Sequence, residues 1–97
     1  MPNRAAIITG ASSGIGLAIA KMLGEEGHAL TLAARRPEKL TAAADELRDA
    51  GFDVQEVAGN MADEDTIKRV VAAHRERFGR LDVLVNNVGV DAAAGDH

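Results

Sequence analysis

Short apolar runs alternate with segments of helical periodicity along this chain. Four runs of aliphatic residues have the length and continuous hydrophobicity of strands that are buried on both faces. They span about residues 5–9, 29–34, 52–57 and 81–86. In the three segments between them, apolar residues recur at the spacing of one helix face. These predicted helices span about residues 14–26, 37–50 and 63–78.

Local signals mark the ends of the predicted helices. Ser13 suits the N-cap of the first helix, and Gly27 suits its C-terminal stop. Pro37 stands in the first turn of the second helix, where its missing N–H removes no hydrogen bond, and Gly51 ends that helix. The third helix has an acidic first turn, which the helix dipole favours, and it ends at Gly79.

The order of elements predicts the fold class. Strands that alternate with crossover helices form a parallel sheet with right-handed connections. We therefore expect an α/β fold: a Rossmann-type doubly wound parallel sheet, truncated to β-α-β-α-β-α-β, with strand order 3-2-1-4. Residues 1–97 are interpreted as one partial domain of this type.

The composition excludes several classes of function. The 97 residues carry a net charge of −4, so no basic surface is expected for nucleic acid or an anionic membrane. The chain has no cysteine, which excludes disulfides and thiolate chemistry and fits a reducing compartment. Its longest uncharged run contains glycine, serine and threonine, and is too polar for a signal peptide. We expect a cytoplasmic protein without nucleic-acid or membrane partners.

A glycine-rich loop joins the first strand to the first helix. Gly10 permits a tight turn out of the strand, Gly14 permits close approach of a pyrophosphate, and Gly16 permits the helix to pack on the strand. The free N–H groups at the helix start then bind the phosphates. The alternative is a flexible turn with no ligand. The candidate phosphate-binding residues are Gly10, Ser12, Ser13, Gly14, Ile15 and Gly16.

Two segments of the chain resemble the short-chain dehydrogenase/reductase family. Residues 9–16, Thr-Gly-Ala-Ser-Ser-Gly-Ile-Gly, are similar to the cofactor loop of that family at every position. Residues 81–89, Leu-Asp-Val-Leu-Val-Asn-Asn-Val-Gly, are similar to its second signature, with Val88 in place of the usual alanine. The resemblance extends to about Val90 and implies hydride transfer between a nicotinamide cofactor and a carbonyl or alcohol.

The end of the second strand indicates which nicotinamide cofactor is bound. In a Rossmann unit, an acid at this position accepts hydrogen bonds from the ribose 2′-hydroxyl of NAD. Here Ala34 replaces the acid, and Arg35 and Arg36 add donors suited to a 2′-phosphate. We therefore expect NADP (NADPH) to be preferred over NAD. The alternative for Arg36 is a solvated surface residue before the Pro37 turn.

The resemblance also implies roles for residues after the third and fourth strands. The family carries an acid where Asn60 stands, and that acid accepts from the adenine amino group while the next backbone N–H, here that of Met61, faces the ring. Asn60 retains an acceptor in its carbonyl oxygen, although a turn residue before a helix is the alternative. The turn formed by Asn86, Asn87 and Gly89 is implied to brace the sheet and line the cofactor groove.

The residues that perform the chemistry in this family are absent. The family uses a catalytic serine, tyrosine and lysine, and this chain has no tyrosine. We therefore expect the NADP-binding portion of an oxidoreductase, inactive by itself and cut short before its oligomer contacts. The alternatives are a non-catalytic dinucleotide-binding module and an inactive remnant. The three histidines lack metal-ligand spacing, and His74 is expected at the edge of the core.

Overall fold

The computed structural model of the chain describes residues 4–12 and 14–87, which form a parallel sheet flanked by helices. The four strands are β1 (Arg4–Thr9), β2 (His28–Ala34), β3 (Val54–Ala58) and β4 (Val83–Asn86). The three helices are α1 (Gly14–Glu25), α2 (Pro37–Asp49) and α3 (Glu64–Phe78). The strand order is β3-β2-β1-β4 with every pair parallel, which confirms the predicted fold class.

The helices cover the two faces of the sheet unequally. Leu23 of α1 and Leu40 of α2 pack with Ile8 in the larger core. Val70 of α3 packs with Ile7 in a smaller core on the opposite face. Helices α1 and α2 connect strands that advance in one direction, whereas α3 returns the chain to the other side of β1. Among the described helices, right-handed connections therefore place only α3 on the second face.

The central strands are buried on both faces, as continuous hydrophobic runs predict. All seven residues of β2 are buried, and so are the four central apolar residues of β1. The second face is less covered, because Val71 of α3 is 39% exposed and Leu84 of β4 is 61% exposed. Leu84 pairs with Ile7 and so lies on the same face as α3.

Two strands begin later than the sequence pattern indicates. β3 begins at Val54 rather than near residue 52, because Phe52 N–H donates to the Leu47 carbonyl at 3.1 Å and thus completes the end of α2. Phe52 then packs on Gly24 of α1. β4 begins at Val83 rather than near residue 81. The predicted N-cap Ser13 lies outside the described residues.

Candidate functional site

The loop between β1 and α1 is held against the end of β2. The N–H groups of Gly10 and Ala11 both donate to the Ala33 carbonyl, at 2.8 and 3.4 Å. Gly10 has a φ of +65° and Gly14 has a φ of +63°, in the left-handed region that glycine enters without a steric penalty. The two glycines therefore allow the chain to leave β1, turn and enter α1.

The missing Cβ atoms of Gly16 and Gly14 have different consequences for the loop. A Cβ at Gly16 would collide with the Gly10 carbonyl oxygen and lie 2.9 Å from Asn87 Nδ2. A Cβ at Gly14 would meet nothing within 4 Å, so the loop is open to the outside there. Helix α1 begins at Gly14, and its first N–H groups have no partner within the helix. We call this loop, from Gly10 to Gly16, the glycine cradle. Its open backbone and the free N–H groups of α1 fit an anion with several oxygens, such as a pyrophosphate.

Hydrogen bonds join the end of β4 to the glycine loop. The Thr9 hydroxyl accepts from Asn87 N–H at 3.0 Å, and its proton can reach Asn86 Oδ1 at 3.1 Å or the Val85 carbonyl at 3.3 Å. Asn87 Nδ2 donates to the Gly10 carbonyl at 3.4 Å. The sequence predicts no separate role for Thr9, although Thr9 is the first residue of the segment that resembles the family's cofactor loop.

Two arginines follow the end of β2. Ala34 is buried and its carbonyl accepts from Gly59 N–H at 2.9 Å, whereas Arg35 and Arg36 are both exposed. Within residues 4–12 and 14–87, no carboxylate forms an ion pair with either guanidinium. Arg36 stands at the N-cap of α2 without a side-chain capping hydrogen bond. Both positive charges are therefore available to an anionic ligand.

The residues after β3 are divided between solvent and core. Asn60 is exposed, and its Oδ1 accepts from Ala62 N–H at 2.9 Å. Its carbonyl oxygen accepts from Asp63 N–H at 3.0 Å, one residue before α3. Met61 is only 7% exposed and its side chain belongs to the core beneath α3. Met61 can therefore meet a ligand only through its backbone.

A third arginine lies at the same edge of the sheet. Arg69 of α3 donates from Nη2 to the Ala58 carbonyl at 2.9 Å. A Cβ at Gly59 would lie 2.7 Å from that same nitrogen, so the glycine permits the contact. No pattern in the sequence indicates this position, because an arginine on the exposed side of a helix has the pattern of an ordinary surface residue.

The parallel register brings the candidate residues to one edge. Thr9 is level with Ala33 of β2 and with Asn86 of β4, and Ala34 is level with Ala58 of β3. The C-terminal ends of all four strands therefore lie on the same side of the sheet, as expected for a ligand site in a parallel sheet. Ser12 is half-buried and Ile15 is exposed beside this edge. Ser13 and Gly89 lie outside the described residues.

The model of the short chain dehydrogenase family matches residues 4–97. The chain belongs to this family. The matched range includes the glycine loop, the four strand ends and the second signature. The predicted resemblance is confirmed.

Curated members of the family match most of this chain. A Streptomyces violaceoruber protein assigned as a ketoacyl reductase of the granaticin polyketide synthase is 48% identical over 84 residues, which are 87% of this chain and 31% of that protein. The Staphylococcus aureus 3-oxoacyl-(acyl-carrier-protein) reductase FabG is 41% identical over 89 residues, which are 91% of this chain and 36% of the reductase. The chain therefore spans about a third of the length of these short-chain dehydrogenases.

Solved structures of the family have the same arrangement of strands and helices. An actinorhodin polyketide ketoreductase variant with NADPH is 42% identical and superposes with a TM-score of 0.85, over 90% of this chain and 34% of that one. The L-sorbose reductase of Gluconobacter frateurii, complexed with NADPH and L-sorbose, is 43% identical with a TM-score of 0.84, over 90% and 34% of the two chains.

The two histidines in the described part of the chain, His28 and His74, are both buried and hydrogen-bonded within the fold. His74 is 2% exposed, and its two ring nitrogens lie 2.7 Å from Thr31 Oγ1 and 2.8 Å from the Arg80 carbonyl. His28 is also buried and bonds to the Leu23 carbonyl at 2.9 Å. The described ranges contain no group of three side chains suited to a metal ion. They also contain no helix long and apolar enough to cross a membrane.

Proposed function

We propose that the edge formed by the four strand ends binds NADP. The observation that carries this proposal is the bare glycine cradle, which lies beside two arginines without carboxylate partners. The pyrophosphate is held by the N–H groups at the start of α1, where the helix dipole adds positive potential. The adenosine half extends over β2 and β3. Gly14 leaves the loop open where the pyrophosphate approaches, while Gly10 and Gly16 allow the close packing of the loop against Asn87 and α1.

The end of β2 favours the phosphorylated dinucleotide over NAD. An acid at the end of β2 would accept from a free 2′-hydroxyl and would repel a 2′-phosphate. Ala34 is buried and offers neither effect, whereas the exposed guanidinium of Arg35 can form charge-assisted hydrogen bonds with the phosphate. Arg36 adds a second positive charge from the N-cap of α2. The proposed dinucleotide groove along the strand ends is completed by Asn60, Met61, Asn86 and Asn87.

We propose further that this chain is the cofactor-binding portion of an oxidoreductase. When bound, the nicotinamide supplies or accepts the hydride that a carbonyl or alcohol substrate exchanges. The residues of this chain bind and orient the dinucleotide. The ketoreductase and L-sorbose reductase that resemble it are described with NADPH, which supports the reductive direction. For the whole protein we propose a cytoplasmic homo-oligomer that binds neither membranes nor nucleic acid.

A second candidate is a dinucleotide-binding module without catalysis. The chain has no tyrosine, so it cannot supply the phenol on which proton transfer in this family depends. Both functions predict that the chain binds the dinucleotide. They differ in turnover, because only the oxidoreductase function predicts hydride transfer when the chain is combined with a partner chain. An inactive remnant would bind no dinucleotide.

Fluorescence titration of the chain with NADPH and with NADH tests the binding proposal. We expect NADPH to bind about tenfold or more tightly than NADH, because only its 2′-phosphate meets the two arginines. Equal affinities would contradict the NADP preference, and no binding of either would contradict the site itself.

With NADPH and a panel of ketones, the chain alone should oxidise no NADPH, and measurable turnover would refute the role given to the missing tyrosine.

A further inference from the structure

The amide of Asn60 has one orientation. Its oxygen Oδ1 accepts from Ala62 N–H at 2.9 Å. A backbone N–H can only donate, so the atom of the amide that faces it must be the oxygen. Nδ2 therefore points away from this turn. Among the described residues, none accepts a hydrogen bond from Nδ2, and Asn60 is exposed.

Asn60 lies beside the end of the adenosine site. β3 is the neighbour of β2, and Gly59 N–H donates to the Ala34 carbonyl at 2.9 Å, so the two strand ends are in contact. Arg35, which follows Ala34, is where the proposed function places the 2′-phosphate of the adenosine ribose. A base attached to that ribose extends from β2 toward β3, because the nicotinamide half lies on the β4 side of the pyrophosphate.

The outward group of Asn60 is a donor, and this sets its preference among purine bases. Adenine presents a 6-amino group, which is itself a donor, whereas hypoxanthine presents a 6-oxo group, which is an acceptor. We propose that Asn60 makes the base site tolerant of 6-oxopurine dinucleotides, with Nδ2 donating to the 6-oxo group. This inference rests on the proposed function, since it requires the dinucleotide to lie along this edge.

An aspartate at the same position would have the opposite preference. One carboxylate oxygen would keep the hydrogen bond from Ala62 N–H, and the other would present an ionised acceptor in place of Nδ2. That oxygen accepts from a 6-amino group and repels a 6-oxo group. Asn60→Asp therefore changes the hydrogen-bonding character of the base site while the turn before α3 is retained.

The test compares two probes that differ only at the base. NADPH and reduced nicotinamide hypoxanthine dinucleotide phosphate share the same fluorescent nicotinamide and the same phosphates. The quantity measured is the ratio of their dissociation constants, in the parent chain and in Asn60→Asp. The added negative charge weakens the binding of both probes alike. Partial unfolding of a variant lowers the concentration of folded chain that is available to both probes. The ratio is therefore insensitive to either effect.

We expect the parent chain to bind the two probes within about fivefold of one another, and Asn60→Asp to shift the ratio toward adenine by about tenfold. Asn60→Ser keeps a hydroxyl oxygen for Ala62 N–H but lacks Nδ2, so this uncharged variant should also shift the ratio toward adenine, by about threefold and by less than Asn60→Asp. A shift below about threefold in Asn60→Asp would overturn the inference while NADPH binding stood. Failure of both probes to bind the parent would overturn the proposed function itself.

Discussion

At the scale of single residues, the site depends on which side chains are absent as much as on those present. Gly16 is free of a Cβ where the Gly10 carbonyl and Asn87 approach α1, and Ala34 is free of a carboxylate where an anion is proposed to bind. The sequence predicted both features, because a missing atom or charge can be read directly from residue type. It did not predict which atom of Asn60 faces the site, since this depends on the Ala62 N–H.

Reversal of the charge at Arg35 tests the recognition of the 2′-phosphate. Arg35→Asp should weaken NADPH binding by tens of fold, because it replaces charge-assisted donors with a repelling carboxylate. NADH binding should change far less, since NADH has no 2′-phosphate. Fluorescence titration of both dinucleotides measures the effect.

Lys21→Glu is the matched control for Arg35→Asp. It makes the same change of charge on an exposed position of α1, about two turns from the helix start. Both dinucleotides should bind this variant within about threefold of the parent, because the distance is near the Debye length at physiological salt. An equal loss of NADPH affinity in the two variants would show that Arg35 acts only through net charge.

At the scale of elements, the close approach of α1 to β1 determines the shape of the glycine cradle. The loop is held by Ala33 on one side and by Thr9 and Asn87 on the other, so its ends cannot separate easily. The periodicity of the sequence predicted α1 and its packing, but not this second support from β4. Asn87 is 78 residues from Thr9 in the chain, and only the parallel register makes them neighbours.

Gly16→Ala tests this close approach. An exposed glycine inside a helix usually gains stability on replacement by alanine. Here the new Cβ would collide with the Gly10 carbonyl, so we expect a loss of about 1–3 kcal/mol in the free energy of unfolding. NADPH affinity should fall as well, because the loop must move. Urea unfolding and fluorescence titration measure the two effects.

Ala18→Ser controls for the added atom in Gly16→Ala. It also introduces one heavy atom into α1, but at an exposed position. The free energy of unfolding should change by no more than about 0.5 kcal/mol, which is typical of surface substitutions. If Gly16→Ala were as mild as this control, the cradle would have more room than the structure indicates.

At the scale of the whole molecule, one chain of hydrogen bonds connects α3 to the sheet. Gln55 Nε2 donates to Thr31 Oγ1 at 3.4 Å, and Thr31 Oγ1 lies 2.7 Å from His74 Nδ1. His74 Nε2 must donate to the Arg80 carbonyl at 2.8 Å, so in the neutral ring Nδ1 accepts from the Thr31 hydroxyl. These contacts join β3, β2, α3 and the segment before β4.

Acid should weaken this connection. Burial lowers the pKa of His74 below 6.5, an effect that the Arg80 hydrogen bond and the charge of Asp82 oppose only in part. The unfolded chain therefore takes up a proton below about pH 6.5 that the folded chain resists, and stability falls from that pH downward until the folded pKa is reached. Urea unfolding at pH 8 and at pH 5.5 measures the loss, and His74→Gln should show less of it.

A separate acid-dependent loss is expected at lower pH. The Arg80 guanidinium and the Ala5 N–H lower the pKa of Asp82 to about 2. The folded state thus keeps this carboxylate ionised below the ordinary value of 3.8, and its stabilising effect is lost as the pH falls from there toward about 2. A free energy of unfolding that stays constant from pH 8 to pH 4 would contradict the role of His74. It would leave the role of Asp82 intact, because the effect of Asp82 is expected only below pH 3.8.

Residue order and residue type are enough to predict the elements, their order, the parallel sheet and the chemical character of the edge at which we propose that the cofactor binds. These follow from periodicity, from glycine and proline positions, and from residue type, all of which act locally. Three features are visible only in the folded chain: Thr9 accepts from Asn87 N–H, Arg69 reaches the same edge, and the Asn60 amide points its donor outward. Each of these depends on atoms brought together by strand register or by a turn, and register is set by the packed sheet as a whole.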